Sequence, residues 1–102
     1  VPLPLAAAPH HSLEDWRGRI DAIDAALVHL LNLRIEYARG AGRAKRAQGA
    51  PLQAPAREGE VLARVQALNP GPLDPQALAA IYRAILHASL QAQERERVLE
   101  GR

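Results

Sequence analysis

From Leu13 to Gln48 the chain contains no proline, and its apolar residues recur with a helical beat. Leu13, Trp16, Ile20, Ile23, Leu27 and Leu30 follow one another at alternating steps of three and four. That spacing puts all six on one stripe of an α-helix, the seam of a helix packed against other helices. Such a helix runs roughly 54 Å, whereas a small domain is only about 30 Å across. A chain of 102 residues cannot cover that stripe with what remains of it. A second copy must share it, so the expected fold is all-α: three helices, one very long, forming an intertwined helical-bundle homodimer.

The stripe continues into Arg34, Tyr37 and Ala41, with Lys45 beyond. At about 100° per residue, Arg34 and Lys45 share a face, with their Cα atoms roughly 16 Å apart along the axis. Ala38 and Ala41 between them, and Gly42 at the edge, are small enough to leave a hollow. The two cations demand a partner there, because a buried unpaired charge is costly, and a small anion between them would serve. Arg39, Arg43 and Arg46 point about 120–180° away and read as a solvated face. Gly40 and Gly42 each weaken the helix by roughly 1 kcal/mol relative to Ala. Close approach of another group to the backbone explains glycine there better than drift.

Composition narrows the class. There is no Cys, Met or Phe, the aromatic residues are one Trp and two Tyr, and 48% of residues are apolar, mostly Ala and Leu. No stretch alternates in the manner of a strand. Without cysteine there is no disulfide, thiol catalysis or thiolate metal site, which suits a reducing compartment and an expected cytoplasmic location. A net charge of +2 is too small to imply a nucleic-acid partner, and no apolar run is long enough for a membrane span.

The rest of the chain divides at its prolines. Residues 1–11 hold three of the eight prolines and no helical period, and are expected to form a disordered arm with His10 and His11 as inert tail residues. The helical domain is expected over 12–99, with 100–102 as a tail. Ser12 and Asp15 form a capping-box pattern that opens the first helix. Gly49 to Pro55 is a proline-bracketed loop. A second helix is expected from Ala56 to Leu68, with Val61, Leu62, Val65 and Leu68 inward and Glu58 on the same face. Asn69 to Pro72 ends it, and Asp74 as N-cap with Pro75 at the first position starts a third helix running to about Leu99. On that helix Leu78, Ile81 and Ile85 adjoin a row of Tyr82, Leu86 and Leu90, and the Ile81–Ile85 row gives way to Ser89 and Gln93. The closing RERVLEGR reads as a charged end or fraying.

Each apolar face thus turns polar at some point: Arg34 and Lys45 on the first helix, Arg57 and Glu58 on the second, Ser89 and Gln93 on the third. Glu58 paired with Lys45 or Arg34 would explain part of this as buried ion pairing. Taken together, cations outnumber anions and neutral donors add to the excess. The pattern points to a small compound bearing more than one carboxylate or phosphate, where Arg gives bidentate recognition. There is no Ser–His–Asp set, metal-ligand cluster or glycine loop joining strand to helix. His29 and His87 fall off the polar patches and read as partly exposed helix residues. Such a pocket would orient and stabilise a charged substrate rather than attack it.

These residues resemble the all-helical chorismate mutases. The resemblance rests on Arg17-x-x-Ile20-Asp21-x-x-Asp24, Leu31-Asn32-x-Arg34, Lys45, Arg57-Glu58 and Ser89-x-x-x-Gln93, and on the Gly71–Asp74 segment, and covers Leu13 to Gln93. It implies a three-helix chain intertwined into a dimer, and a cofactor-free, metal-free rearrangement of chorismate to prephenate on the way to phenylalanine and tyrosine. By position, Lys45 and Gln93 resemble the donors to the breaking ether bond, and Arg34 a carboxylate clamp. Ser89 resembles a helper to a carboxylate, Glu58 the acceptor for the ring hydroxyl, and Arg57 a residue at the pocket edge. Arg17 lies about 25 Å along the helix from Arg34, too far for one small dianion, so the resemblance implies that it serves the partner subunit's site. Ala54 departs from the family, where many members carry an Asp that shares the hydroxyl contact.

Two related readings stay open at this point. Isochorismate pyruvate lyases share the fold and much of the cationic pocket, and the PLQAP loop is not far from theirs. A regulatory module sensing chorismate or prephenate, in complex with another shikimate-pathway enzyme, would use the same pocket for control. Nucleic-acid binding through Arg39, Arg43 and Arg46 lacks an aromatic platform.

Overall fold

The computed structural model describes residues 12–101, so the expected arm with His10 and His11, and the final Arg102, lie outside the described residues. Three helices make up the fold, α1 (Leu13–Ala47), α2 (Pro55–Leu68) and α3 (Pro75–Glu100), with no strand among the described residues. The chain divides after Leu33 into two units.

The first unit holds the amino-terminal part of α1. Its start is a reciprocal capping box: the Ser12 amide donates to Asp15 Oδ2 at 3.0 Å and the Asp15 amide donates to Ser12 Oγ at 3.1 Å. Two otherwise orphaned amide donors are satisfied this way. Arg19 lies over the Trp16 ring, 5.8 Å from its centroid. Leu13, Trp16, Ile20, Ile23, Leu27 and Leu30 remain between 41% and 62% exposed. A continuous apolar stripe of that extent marks a surface meant to be covered.

The second unit begins at Arg34 and carries the end of α1, α2 and α3. The helix α1 stops in a Schellman turn. The Ala50 amide donates to the Lys45 carbonyl at 2.8 Å and the Gly49 amide to the Arg46 carbonyl at 3.1 Å, with Gly49 at φ +69°. Pro55 occupies the first position of α2, one residue earlier than the sequence suggests, because its missing N–H costs nothing there. After α2, Asn69 accepts from the Gly71 amide and donates to the Leu73 carbonyl, and Gly71 takes φ +83°. Asp74 then caps α3, accepting from the Gln76 and Ala77 amides, both at 3.1 Å.

α2 packs against α3, with Val61, Leu62, Val65, Tyr82, Ile85, Leu86 and Leu90 half-buried. Leu68 and Ile81, expected inside, are exposed: Leu68 is the last residue of α2, where the chain turns away, and Ile81 lies on an uncovered part of α3. Leu78 is the one buried large apolar residue among the described residues.

A ladder of polar contacts joins the end of α1 to α3. Arg34 meets Ser89, Gln93 meets the Ala38 carbonyl, Arg43 meets Glu96 and Arg46 meets Glu100, with partners 53–55 residues apart in sequence. A near-constant separation means that the two segments run parallel, rung after rung. The lower rungs correct the sequence reading. Arg39, Arg43 and Arg46 are not a purely solvated face, and the last turns of α3 are not fraying, because all three arginines hold carboxylates on α3.

Replacing the α3 cap, Asp74→Ala, is expected to destabilise the chain by about 1 kcal/mol. Chemical denaturation monitored by helix content measures it; an unchanged midpoint would mean that α3 starts without help from this side chain.

Candidate active site

A cavity of about 400 Å³ opens within the second unit, and all six site residues expected on this part of the chain line it: Arg34, Lys45, Arg57, Glu58, Ser89 and Gln93. Arg17, the seventh, is exposed on the first part of α1 and is not among the lining residues. Leu52, Val61, Leu86 and Leu90 supply apolar walls, while Ala38 and Ala41 leave the hollow that their small side chains suggest.

Hydrogen bonds hold each cavity donor without exhausting it. Arg34 Nη1 donates to Ser89 Oγ at 2.7 Å, and that hydroxyl donates back to the Ile85 carbonyl at 3.0 Å. Lys45 Nζ donates to the Leu52 carbonyl at 2.7 Å and lies 3.5 Å from Gln93 Oε1, a long contact. Gln93 Nε2 donates to the Ala38 carbonyl at 2.7 Å. An ammonium has three hydrogens and an amide two, so Lys45 and Gln93 are both oriented with a donor to spare. Neither carbonyl anchor has a side-chain signature, so sequence reading had no means of finding Leu52 or Ala38 in this role.

The charge balance is lopsided. Glu58 is the single carboxylate among the lining residues, and it forms no side-chain hydrogen bond or ion pair with Arg34 or Lys45. The paired reading of those buried charges is therefore not what the fold adopts. Arg57 is exposed and contacts Glu60 at 3.3 Å, which leaves Arg34 and Lys45 as half-buried cations without a carboxylate. A cavity built this way is completed by a small anion, and two cations lining it suit one with two negative groups.

Comparison with known proteins assigns the chain to a family. The profile of chorismate mutase type II matches residues 16–94. The chain belongs to that family. The bifunctional chorismate mutase/prephenate dehydratase of Neisseria gonorrhoeae is 39% identical over 77 residues, covering 76% of this chain and 21% of that protein. Its counterpart from Aquifex aeolicus is 33% identical over 90 residues, covering 84% of this chain and 25% of that protein. The chain thus spans about a quarter or less of the length of these curated relatives. Among solved structures, chorismate mutase (form II) from Thermus thermophilus superposes with a TM-score of 0.79 at 31% identity. The match covers 81% of this chain and 94% of that one.

Gly42 is what lets α3 approach α1 so closely at Gln93. It is buried, and a Cβ on it would stand 2.9 Å from Gln93 Cγ and 3.2 Å from Gln93 Cβ. Gly40 has no such constraint, since its nearest neighbour would be the flexible end of Arg43 at 3.6 Å. The expectation of close approach therefore holds for Gly42 and not for Gly40. His29 and His87 are exposed, as expected for helix residues outside the site.

Gly42→Ala should thus separate stability from geometry. Helix propensity favours Ala by roughly 1 kcal/mol, while the new methyl pushes the Gln93 side chain off its seat. The expected outcome is a helical, folded protein in which Gln93 no longer reaches the Ala38 carbonyl; a crystal structure with Gln93 unmoved would contradict it.

Proposed function

We propose that this chain is a chorismate mutase, converting chorismate to prephenate by a concerted rearrangement in which the ether C–O bond breaks as a new C–C bond forms within the same molecule. The observation that carries this reading is the pair of carboxylate-free cations, Arg34 and Lys45, in one cavity with Gln93 beside Lys45. The family, and relatives whose names pair a chorismate mutase with a prephenate dehydratase, support it. The rearrangement needs no nucleophile and no proton transfer, which fits a cavity that offers donors and one carboxylate.

In this reading Arg34, steadied by Ser89, clamps one substrate carboxylate and selects the compact conformer in which the reacting carbons approach. Lys45 and Gln93 turn their spare hydrogens toward the ether oxygen, where negative charge grows as the bond breaks. Donors already held in place need no reorganisation at that moment, so they stabilise the transition state more than the ground state. Glu58 accepts from the ring hydroxyl, alone because position 54 is Ala, and Arg57 tops the cavity edge. The dimer belongs to the same proposal. A second copy covers the exposed stripe from Leu13 to Leu30 and delivers its Arg17 to the other carboxylate.

Loss of chorismate absorbance on adding purified protein, with prephenate identified as product, tests the assignment. Lys45→Ala is expected to lower kcat by about 100-fold or more with helix content intact; full retained turnover would remove Lys45 from the mechanism. Gln93→Glu is expected to move the activity toward acidic pH, because only the protonated carboxyl donates to the ether oxygen. A pH profile identical to the parent's would show that no donor is needed at that position.

A further inference from the structure

The two upper rungs between α1 and α3 are made by side chains that also line the cavity, Arg34 on Ser89 and Gln93 on the Ala38 carbonyl. The lower rungs lie outside the cavity lining and stay available whatever occupies it.

Glu96 is the centre of those rungs. It sits one turn beyond Gln93 on α3, its side chain is 10% exposed, and Oε1 accepts from Arg43 Nη1 at 2.5 Å and from Arg39 Nη2 at 3.4 Å. Arg43 directly follows Gly42, so the grip lies beside the close approach of Gln93 to the helix backbone. Arg46 and Glu100 repeat the contact at 2.6 Å one turn on. Buried ion pairs add little net stability, and their best-attested use is to fix one register among several. A slide of α3 by one turn, about 5.4 Å, would lift Gln93 from Gly42 altogether.

We propose that Glu96 is a positioning residue of the active site: by gripping Arg43 and Arg39 it holds α3 in the register that seats Gln93 on Gly42 beside Lys45. The inference deepens the chorismate mutase reading and rests on it for its kinetic consequence alone. Burial pushes the Glu96 carboxyl up, but the hydrogen bond and charge of Arg43, with those of Arg39, outweigh it and hold the group below its ordinary value. It is therefore ionised, and gripping, throughout the neutral range. Its contribution is lost only as the pH falls below the ordinary glutamate range.

The test compares Glu96→Ala, Glu96→Gln and the parent. Glu96→Ala is expected to lower kcat by about tenfold, the scale of a misplaced catalytic group, with KM within about twofold. Glu96→Gln keeps an acceptor for Arg43 and should fall less than about threefold. In a Gln93→Ala background, Glu96→Ala should cost almost nothing more, because its effect passes through Gln93. A second readout is independent of turnover: the side-chain amide signals of Gln93 in 15N-labelled protein, assigned by their loss in Gln93→Ala. They should shift and exchange faster in Glu96→Ala and not in Glu96→Gln. Should Glu96→Ala fail to fold, Arg43→Gln with Arg39→Gln empties the same grip from its half-exposed side and carries the same expectations. Parent-like kcat, an equal loss in the Gln93→Ala background, or unmoved Gln93 signals would each overturn the proposal. An inactive parent would defeat the functional reading instead, and the amide signals would still decide the register.

Discussion

Two cations on one helix face, with no carboxylate of their own, are the constraint on which the second unit turns. Arg34 and Lys45 are half-buried, and each needs a polar partner there. The fold answers with α3, whose Ser89 accepts from Arg34 and whose Gln93 lies beside Lys45. It answers again with backbone, since the Leu52 carbonyl holds Lys45 and the Ala38 carbonyl holds Gln93. Nothing in this arrangement neutralises the charge. It orients donors and leaves the neutralisation to a ligand, which is what separates a binding cavity from a structural ion pair.

The same logic runs through the helix ends. The Schellman turn that stops α1 closes on the Lys45 carbonyl and brings Leu52 back to the Lys45 ammonium. The short, capped connection from Asn69 to Asp74 fixes where α3 starts, and thereby which of its residues face α1. Gly42 removes the one side chain that would keep α3 away. Positions that look like mere punctuation in the sequence therefore set the cavity's dimensions.

Much of this was legible in the chain, and the reasons are local. The stripe from Leu13 to Leu30, the Ser12–Asp15 box and the Asp74–Pro75 start depend on neighbours within a few residues, so periodicity and capping chemistry find them. The six cavity residues were legible because apolar faces gave way to polar groups at readable steps. The Arg39–Arg43–Glu96 grip was not legible. Glu96 lies more than fifty residues from both arginines, and each of the three alone looks like a charge on a solvated helix. Leu52 and Ala38 act through carbonyls, which every residue has. Leu68 and Ile81 were misread because an apolar pattern marks a face without showing what, if anything, lies against each of its residues.

The most direct measurement asks whether a second copy of the chain completes the site. An Arg17→Ala chain and an Arg34→Ala chain, each expected to be inactive alone, are unfolded together, refolded as an equal mixture and assayed for chorismate turnover. If each site joins Arg34 of one chain to Arg17 of the other, random pairing restores about a quarter of the parent activity. No recovery, in a mixture where mixed dimers are demonstrated, would contradict a site built from two copies.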